Sequence, residues 1–321
     1  MKTKIVYVLV SDEEDYYYEM VQLSLYSFRL YHPEDTVELA MDSNTFSRLK
    51  QKPNSILDDV VPHVINAPQD YTKFQRSRYI KTNLRNTIQG RFLFLDCDTL
   101  ICGPLDAIDK IDEDVAFSFH NDGSVFKNKS VMKKAGFPIP SGNPRINYNG
   151  GVFFVNDTPA AYSFFDKWFT LWKESNINGE NPDQPALFQT ILTLGYPMKE
   201  IEGGGIWNCL ILTEHSRPFL KDALVYHYYA HLTSDFRLLI WEHLRTINGI
   251  DDFIRSVISN PRGLGYFFFS MTNERCHNTI NSGLMFVYEN NPKLFRSAVF
   301  ILRITSKPIR FISRIMDYFF R

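Results

Sequence analysis

Apolar positions in this chain come as short continuous runs that alternate with longer stretches of helical periodicity. Ile5 to Val10 form one such run, the acidic turn Ser11-Asp12-Glu13-Glu14-Asp15 follows, and Tyr17 to Tyr31 repeat apolar residues at helical spacing until His32-Pro33. That is a βα unit. Thr36 to Met41 and Val60 to Ile65 predict two further strands, Tyr71 to Ile88 a helix, and Phe92 to Leu95 a strand short and apolar enough to be buried on both faces. Strands alternating with helices predict a parallel, doubly wound sheet whose loops after the strands form the binding face.

Downstream, Val115 to Phe119 predict a strand, and Gly123 to Arg145 read as a long polar loop able to cover a substrate. Val152 to Val155 form a strand entered through Asn149-Gly150-Gly151, and Tyr162 to Glu174 an aromatic core helix. Asn181-Pro182-Asp183-Gln184-Pro185 open a helix at Ala186 to Leu194, and Leu224 to Tyr229 make a last strand-like run holding His227. Asp251 to Arg275 read as helix and loop.

Composition narrows the classes. At 321 residues with 44% hydrophobic content the chain can bury a large core, and its net charge of −1 gives no electrostatic footprint for nucleic acid. The four cysteines, Cys97, Cys102, Cys209 and Cys276, contain no CxxC pair, which favours reduced thiols and a cytoplasmic setting. The first apolar run is too short for a signal peptide, and no stretch reaches transmembrane length.

The acidic pair Asp96 and Asp98, flanking Cys97 at the carboxyl end of a buried strand, must be neutralised or wet. Two readings stay open: a divalent cation carrying phosphates, or an Asx-type turn in which both carboxylates cap backbone amides. The helix upstream carries Lys73, Arg76, Arg78, Lys81 and Arg85 without an acid. Arg78 and Lys81, a helical turn apart, can face one point and meet an anion there. Asp183 suits either N-capping or a contact with sugar hydroxyls, and a lone His227 on an apolar run suits a core position unless a metal needs a further ligand.

Together these pieces resemble the family 8 retaining glycosyltransferases over about residues 4 to 231. The turn in VLVSDEEDYY is similar to the family's nucleobase-holding turn and nominates Asp12; Arg78 in SRYIKTNLR resembles its arginine before the acidic pair; and FLDCDTL resembles its metal-binding Asp-x-Asp. Asn149-Gly150-Gly151-Val152, Asp183-Gln184, Trp207-Asn208 and His227 in VYHYYAHL resemble the remaining motifs, in order. The resemblance implies a GT-A fold, a Rossmann-like doubly wound mixed sheet with helices on both faces and a helical C-terminal extension. It further implies Asp96, Asp98 and His227 around Mn²⁺ or Mg²⁺, a nucleotide-sugar donor, UDP-galactose or UDP-glucose, held by Asp12, Arg78, Lys81, Cys97, Asn149 and Gly150, and Gln184 or Asp183 at the anomeric carbon.

Departures stand beside it. After His227 the family's Gly is replaced by Ala230 and its Lys-Pro-Trp is absent, so diphosphate neutralisation falls to Arg78, Lys81 or Arg237. A different GT-A enzyme, a nucleotidyltransferase or a silent sugar-binding homologue are the alternatives; the first two share the acidic pair, and a nucleotidyltransferase would carry a Gly-rich basic loop where Ser11 to Asp15 are acidic. The expected organisation is a catalytic domain at 1–237, a helical and loop extension at 238–292 packed on it, and a tail at 293–321. In that tail Lys293, Arg296, Arg303, Lys307, Arg310, Arg314 and Arg321 face Asp317 alone, with Phe300, Ile301, Ile304, Phe311, Ile312, Ile315 and Phe319 near helical spacing. Such an element suits an anionic membrane surface or packing on protein, which gives a glycan or glycolipid acceptor and a peripheral position on the inner face as expectations.

Overall fold

The structure, a computed structural model, describes residues 1–119, 129–138, 148–195, 199–210, 219–228 and 235–260, together with 293–294, 297 and 301. The chain divides into two compact units, Met1–Thr233 with Arg237–Gly265, and Ser234–Phe236 with Tyr266–Arg321.

In the first unit the strands are β1 (Lys4–Leu9), β2 (Val37–Asp42), β3 (Val61–Ile65), β4 (Phe92–Leu95), β5 (Thr99–Ile101), β6 (Val115–Phe119), β7 (Tyr148–Val155), β8 (Lys199–Glu200), β9 (Cys209–Leu210) and β10 (Val225–His227). Seven of them form one sheet in the order β3-β2-β1-β4-β7-β6-β8, and β5-β10-β9 form a second. The sheet is mixed, not all parallel. β1 pairs in parallel with β2 and β4, whereas β7 runs antiparallel to both β4 and β6. Continuous burial of β1 and β4 explains their apolar runs, and β2, equally buried, holds Glu38 paired with Lys4 and His63.

The described helices are α1 (Tyr17–Arg29), α2 (Ser43–Leu49), α3 (Lys73–Thr82), α4 (Lys129–Ala135), α5 (Pro159–Ile177), α6 (Gln184–Leu194), α7 (Asp235–Ile247) and α8 (Asp252–Ser259). Ile80 of α3, Trp168 and Trp172 of α5 and Leu187 of α6 pack with Val6, Val8, Phe94, Phe117 and Phe153 on one face of the large sheet. On the other face Tyr7 of β1 hydrogen-bonds Ser24 of α1. Helices on both faces fit the doubly wound expectation. α3 is shorter than the 71–88 stretch: a capping box at Thr72 and Gln75 starts it, and a separate 3₁₀ turn at Leu84–Asn86 follows it. The Gly123 to Arg145 loop contains α4 within its described part.

Two features of this topology make the site. Strand order runs outward from β1 to β2 and β3, then returns past β1 to β4, so the carboxyl ends of β1 and β4 diverge at a topological switch point. In β7, pairing with β6 jumps from Phe117↔Phe153 to Ser118↔Asn149, a bulge that swings Asn149, Gly150 and Gly151 out of register.

Of the second unit, Lys293, Leu294, Ser297 and Ile301 are helical, and the Ser297 hydroxyl donates to the Lys293 carbonyl at 3.2 Å. The expected tail otherwise lies outside the described residues, as do the Tyr266 to Phe269 run and His231, and the side chain of Arg237.

Candidate active site

A cavity of about 650 Å³ opens at the switch point, walled by Val8 at the end of β1 and Val10 just after it, one face of α3 from Lys73 to Lys81, the residues after β4, the β7 bulge and the start of α6. Asp96, Cys97 and Asp98 follow β4 directly, and β10 pairs antiparallel with β5 so that His227 lies opposite Thr99. The backbone of Asp96 donates to the Gly151 carbonyl at 2.8 Å, and Tyr228 donates to the Asp98 carbonyl at 3.0 Å. His227 Nε2 thereby stands 3.2 Å from Asp98 Oδ1 and 4.0 Å from Asp96 Oδ2.

One ligand atom from each of these residues falls within 4.8 Å of the others. Ligands that share one divalent ion at about 2.0–2.6 Å lie within roughly 5 Å of each other, so the set fits such an ion. Close approach depends on Gly151, where a Cβ would sit 2.5 Å from His227 Cε1 and 2.9 Å from Asp96 Oδ2. Burial works against charge on His227, yet Asp98 by charge and hydrogen bond, with Asp96 behind it, raises its pKa above the ordinary value.

Arg78 and Lys81 converge from α3 on Asp183. Arg78 Nε lies 3.1 Å from Oδ1 and Lys81 Nζ 3.1 Å from Oδ2, and Lys81 also reaches Asp96 Oδ1 at 3.1 Å. The Lys81 ammonium is almost fully buried, 4.9 Å above the Phe94 ring. Asp183 does not cap α6 with its side chain, which removes that reading. Burial of its carboxyl disfavours ionisation, but Lys81 and Arg78 outweigh this and hold its pKa below the ordinary carboxylate value.

Gln184 is the first residue of α6, and both ends of its amide are tied to β7. Gly150 N–H donates to Oε1 at 3.1 Å, and Nε2 donates to the Tyr148 carbonyl. The Asn149 side chain accepts from Gly151 N–H at 2.6 Å, which shapes the bulge. Cys97 lines the cavity, while its thiol donates to the Val8 carbonyl at 3.1 Å and burial raises its pKa well above the ordinary thiol value.

Asp12 lies outside the cavity wall and pairs at 2.6 Å with Lys73, which is part of that wall. The Lys73 hydrogen bond lowers the Asp12 pKa. Arg245 of α7 braces the same acidic turn: Nε and Nη2 meet the two Glu19 oxygens at 2.9 and 3.1 Å, Nη1 donates to the Glu13 carbonyl at 3.1 Å, and Nη2 to the Asp15 carbonyl. Sequence reasoning passed over Tyr17, Phe74 and Ser77, all in the cavity wall. Tyr17 and Phe74 are about two-fifths exposed at the mouth, and in the sequence they are indistinguishable from core positions of α1 and α3.

The model of the nucleotide-diphospho-sugar transferase family matches residues 34–201, more than half of the chain. This chain belongs to the nucleotide-diphospho-sugar transferases. The matched span carries the acidic pair, the β7 bulge and Asp183-Gln184, and it ends before His227. Among solved structures the transferase is similar to an active-site mutant of LgtC, with TM-score 0.50 and 14% identity over 79% of this chain and 99% of that one. It is also similar to the galactosyltransferase LgtC in complex with donor and acceptor sugar analogues, at TM-score 0.49 and 15% identity over 79% and 99%, and to mouse xyloside xylosyltransferase 1, at 0.46 and 12% over 73% and 99%. A search of curated proteins found no match. At such identities structural likeness is likeness of fold. The expected GT-A architecture, the family 8-like assignment and the transferase class are borne out.

Proposed function

We propose that this transferase moves a hexose from a UDP-sugar to a glycan or glycolipid acceptor with retention of anomeric configuration. The observation that carries the reading is the meeting, in one switch-point cavity, of a divalent-ion ligand set with a buried lysine and a partly buried arginine that share an acid. Asp96, Asp98 and His227 would hold Mn²⁺ or Mg²⁺, which when bound supplies Lewis-acid neutralisation of the diphosphate leaving group. Arg78 and Lys81, already at the cavity wall, supply the further positive charge that the missing Lys-Pro-Trp would have brought. Asn149 and Gly150 border the sugar side, Asp12 acts through Lys73 on the nucleoside side, and Cys97 holds the acidic pair to β1.

Gln184, clamped through both amide ends, acts by position: an amide is a poor nucleophile, and this one already accepts from Gly150. Asp183, ionised between Lys81 and Arg78, serves as their charge anchor and as the second choice of nucleophile. Front-side attack, with the leaving phosphate taking the acceptor proton, fits this arrangement better than double displacement. Nucleotide release with Mn²⁺, screened over UDP-galactose, UDP-glucose and other donors and followed by NMR of the product anomer, tests it. Turnover of a UDP-hexose with an α product is expected; an inverted product, or release from no nucleotide sugar, contradicts it.

No described helix is long and apolar enough to cross a membrane. The proposed position, peripheral on the inner face through residues 293–321, is supported by the basic apolar pattern and by Leu294 and Ile301. These lie seven residues apart in the sequence and are both exposed.

A further inference from the structure

A buried chain of hydrogen bonds ends on His227, and its direction can be read from chemistry alone. The Val152 carbonyl can only accept, so the Ser118 hydroxyl, 3.1 Å away, spends its single proton there. With that proton committed, Ser118 Oγ accepts from the Asn208 amide nitrogen at 2.9 Å. The amide is therefore fixed with its oxygen toward His227, whose Nδ1 lies 2.9 Å from Asn208 Oδ1. An amide oxygen has no proton to give, so Nδ1 carries one and Nε2 is the nitrogen presented to Asp98 and Asp96.

Ser118 and Asn208 are fully buried and His227 nearly so, which leaves water no access to substitute for a lost member. The chain also joins the β7 bulge and β6 of the large sheet to β10 of the small one, through the residue just before β9. His227 lies on a strand that shares no ladder with β4, so the angle of its ring toward the acidic pair needs some tie besides backbone pairing.

We propose that Asn208 and Ser118 are positioning residues that fix the His227 ring and its Nδ1–H tautomer, so that Nε2 meets the cation held by Asp96 and Asp98. The inference rests on the metal-site reading above. Loss of such an outer partner weakens metal binding about 10–100-fold. Asn208→Ala removes the acceptor, Ser118→Ala frees the amide to rotate, and Asn208→Asp keeps an acceptor opposite Nδ1.

The test is Mn²⁺ affinity of the full chain by calorimetry, with the His227 Nδ1–H resonance followed by ¹⁵N NMR in the metal-free protein. Wild type should bind Mn²⁺ and show a slowly exchanging Nδ1–H. Asn208→Ala should lose that resonance and about 10–100-fold in affinity, and Asn208→Asp should regain both. Should Asn208→Ala fail to fold, Ser118→Ala carries the same test, with a smaller loss expected in both readouts. Wild-type affinity in Asn208→Ala, or in Ser118→Ala where it is the variant used, overturns the inference alone. A wild type that binds neither Mn²⁺ nor Mg²⁺ overturns the metal-site reading and the inference with it.

Discussion

At the scale of single residues the site is governed by what each group can tolerate in burial. Asp183 is ionised only because Lys81 and Arg78 flank it, and the dependence is mutual. Asp183→Ala strips the buried Lys81 and the partly buried Arg78 of their shared partner, and breaking a buried pair such as Lys81–Asp183 costs about 3–5 kcal/mol. Chemical denaturation at neutral pH measures it. Because the folded-state pKa of Asp183 is depressed, its contribution is complete above the unfolded carboxylate value near 4 and is lost as pH falls through the folded value. The stability difference between wild type and Asp183→Asn should therefore shrink on acidification below about pH 4, and a difference independent of pH between 7 and 2 would show that Asp183 does not bear this charge. Gly151 is a second such residue. Gly151→Ala places a methyl against His227 and Asp96, and should weaken Mn²⁺ binding by about tenfold or more while leaving the far-ultraviolet circular dichroism unchanged.

At the scale of elements, the carboxyl ends of β1 and β4 supply the crevice, α3 the cations, and the β7 bulge the close backbone approach. Arg245 adds a distant element to this set, since α7 grips the turn between β1 and α1 across more than 220 residues of sequence. Arg245→Ala should raise the KM for the donor severalfold with little change in kcat, and Ser11 to Asp15 should exchange amide hydrogen faster; unchanged KM and exchange would make Arg245 a surface ornament. Much of this was legible beforehand. Phe92 to Leu95 followed by Asp96 and Asp98 announce a buried strand ending in an acidic pair, and helical spacing alone brings Arg78 and Lys81 to one point. The antiparallel β7 was not legible from alternation, because a strand buried on both faces reads the same in either direction. Nor was Ser118: it lies inside the β6 run, and only the bulge opposite makes its hydroxyl a link to His227. Asp183 could be read equally as a cap, and it took the position of α3 to decide against that.

At the scale of the whole molecule, a chain of almost no net charge has two local positive clusters, the cavity wall with Lys73, Arg78 and Lys81, and the last 29 residues with seven Lys and Arg against Asp317 alone. The second is expected to address the enzyme to anionic lipid. Removal of residues 295–321 should abolish co-sedimentation with phosphatidylglycerol vesicles at low salt, whereas retention would assign the tail to protein packing. The first is the seat of the proposed chemistry, and its claim is that donor cleavage depends on the cation gathered by Asp96, Asp98 and His227. The most direct test is the rate of nucleotide release from the preferred UDP-hexose, with Mn²⁺ and after chelation, for wild type and Asp98→Asn. The account predicts turnover that chelation stops, Mn²⁺ restores, and Asp98→Asn lowers by about two orders of magnitude or more even at saturating Mn²⁺; full turnover by the chelated wild type, or by Asp98→Asn, would contradict it.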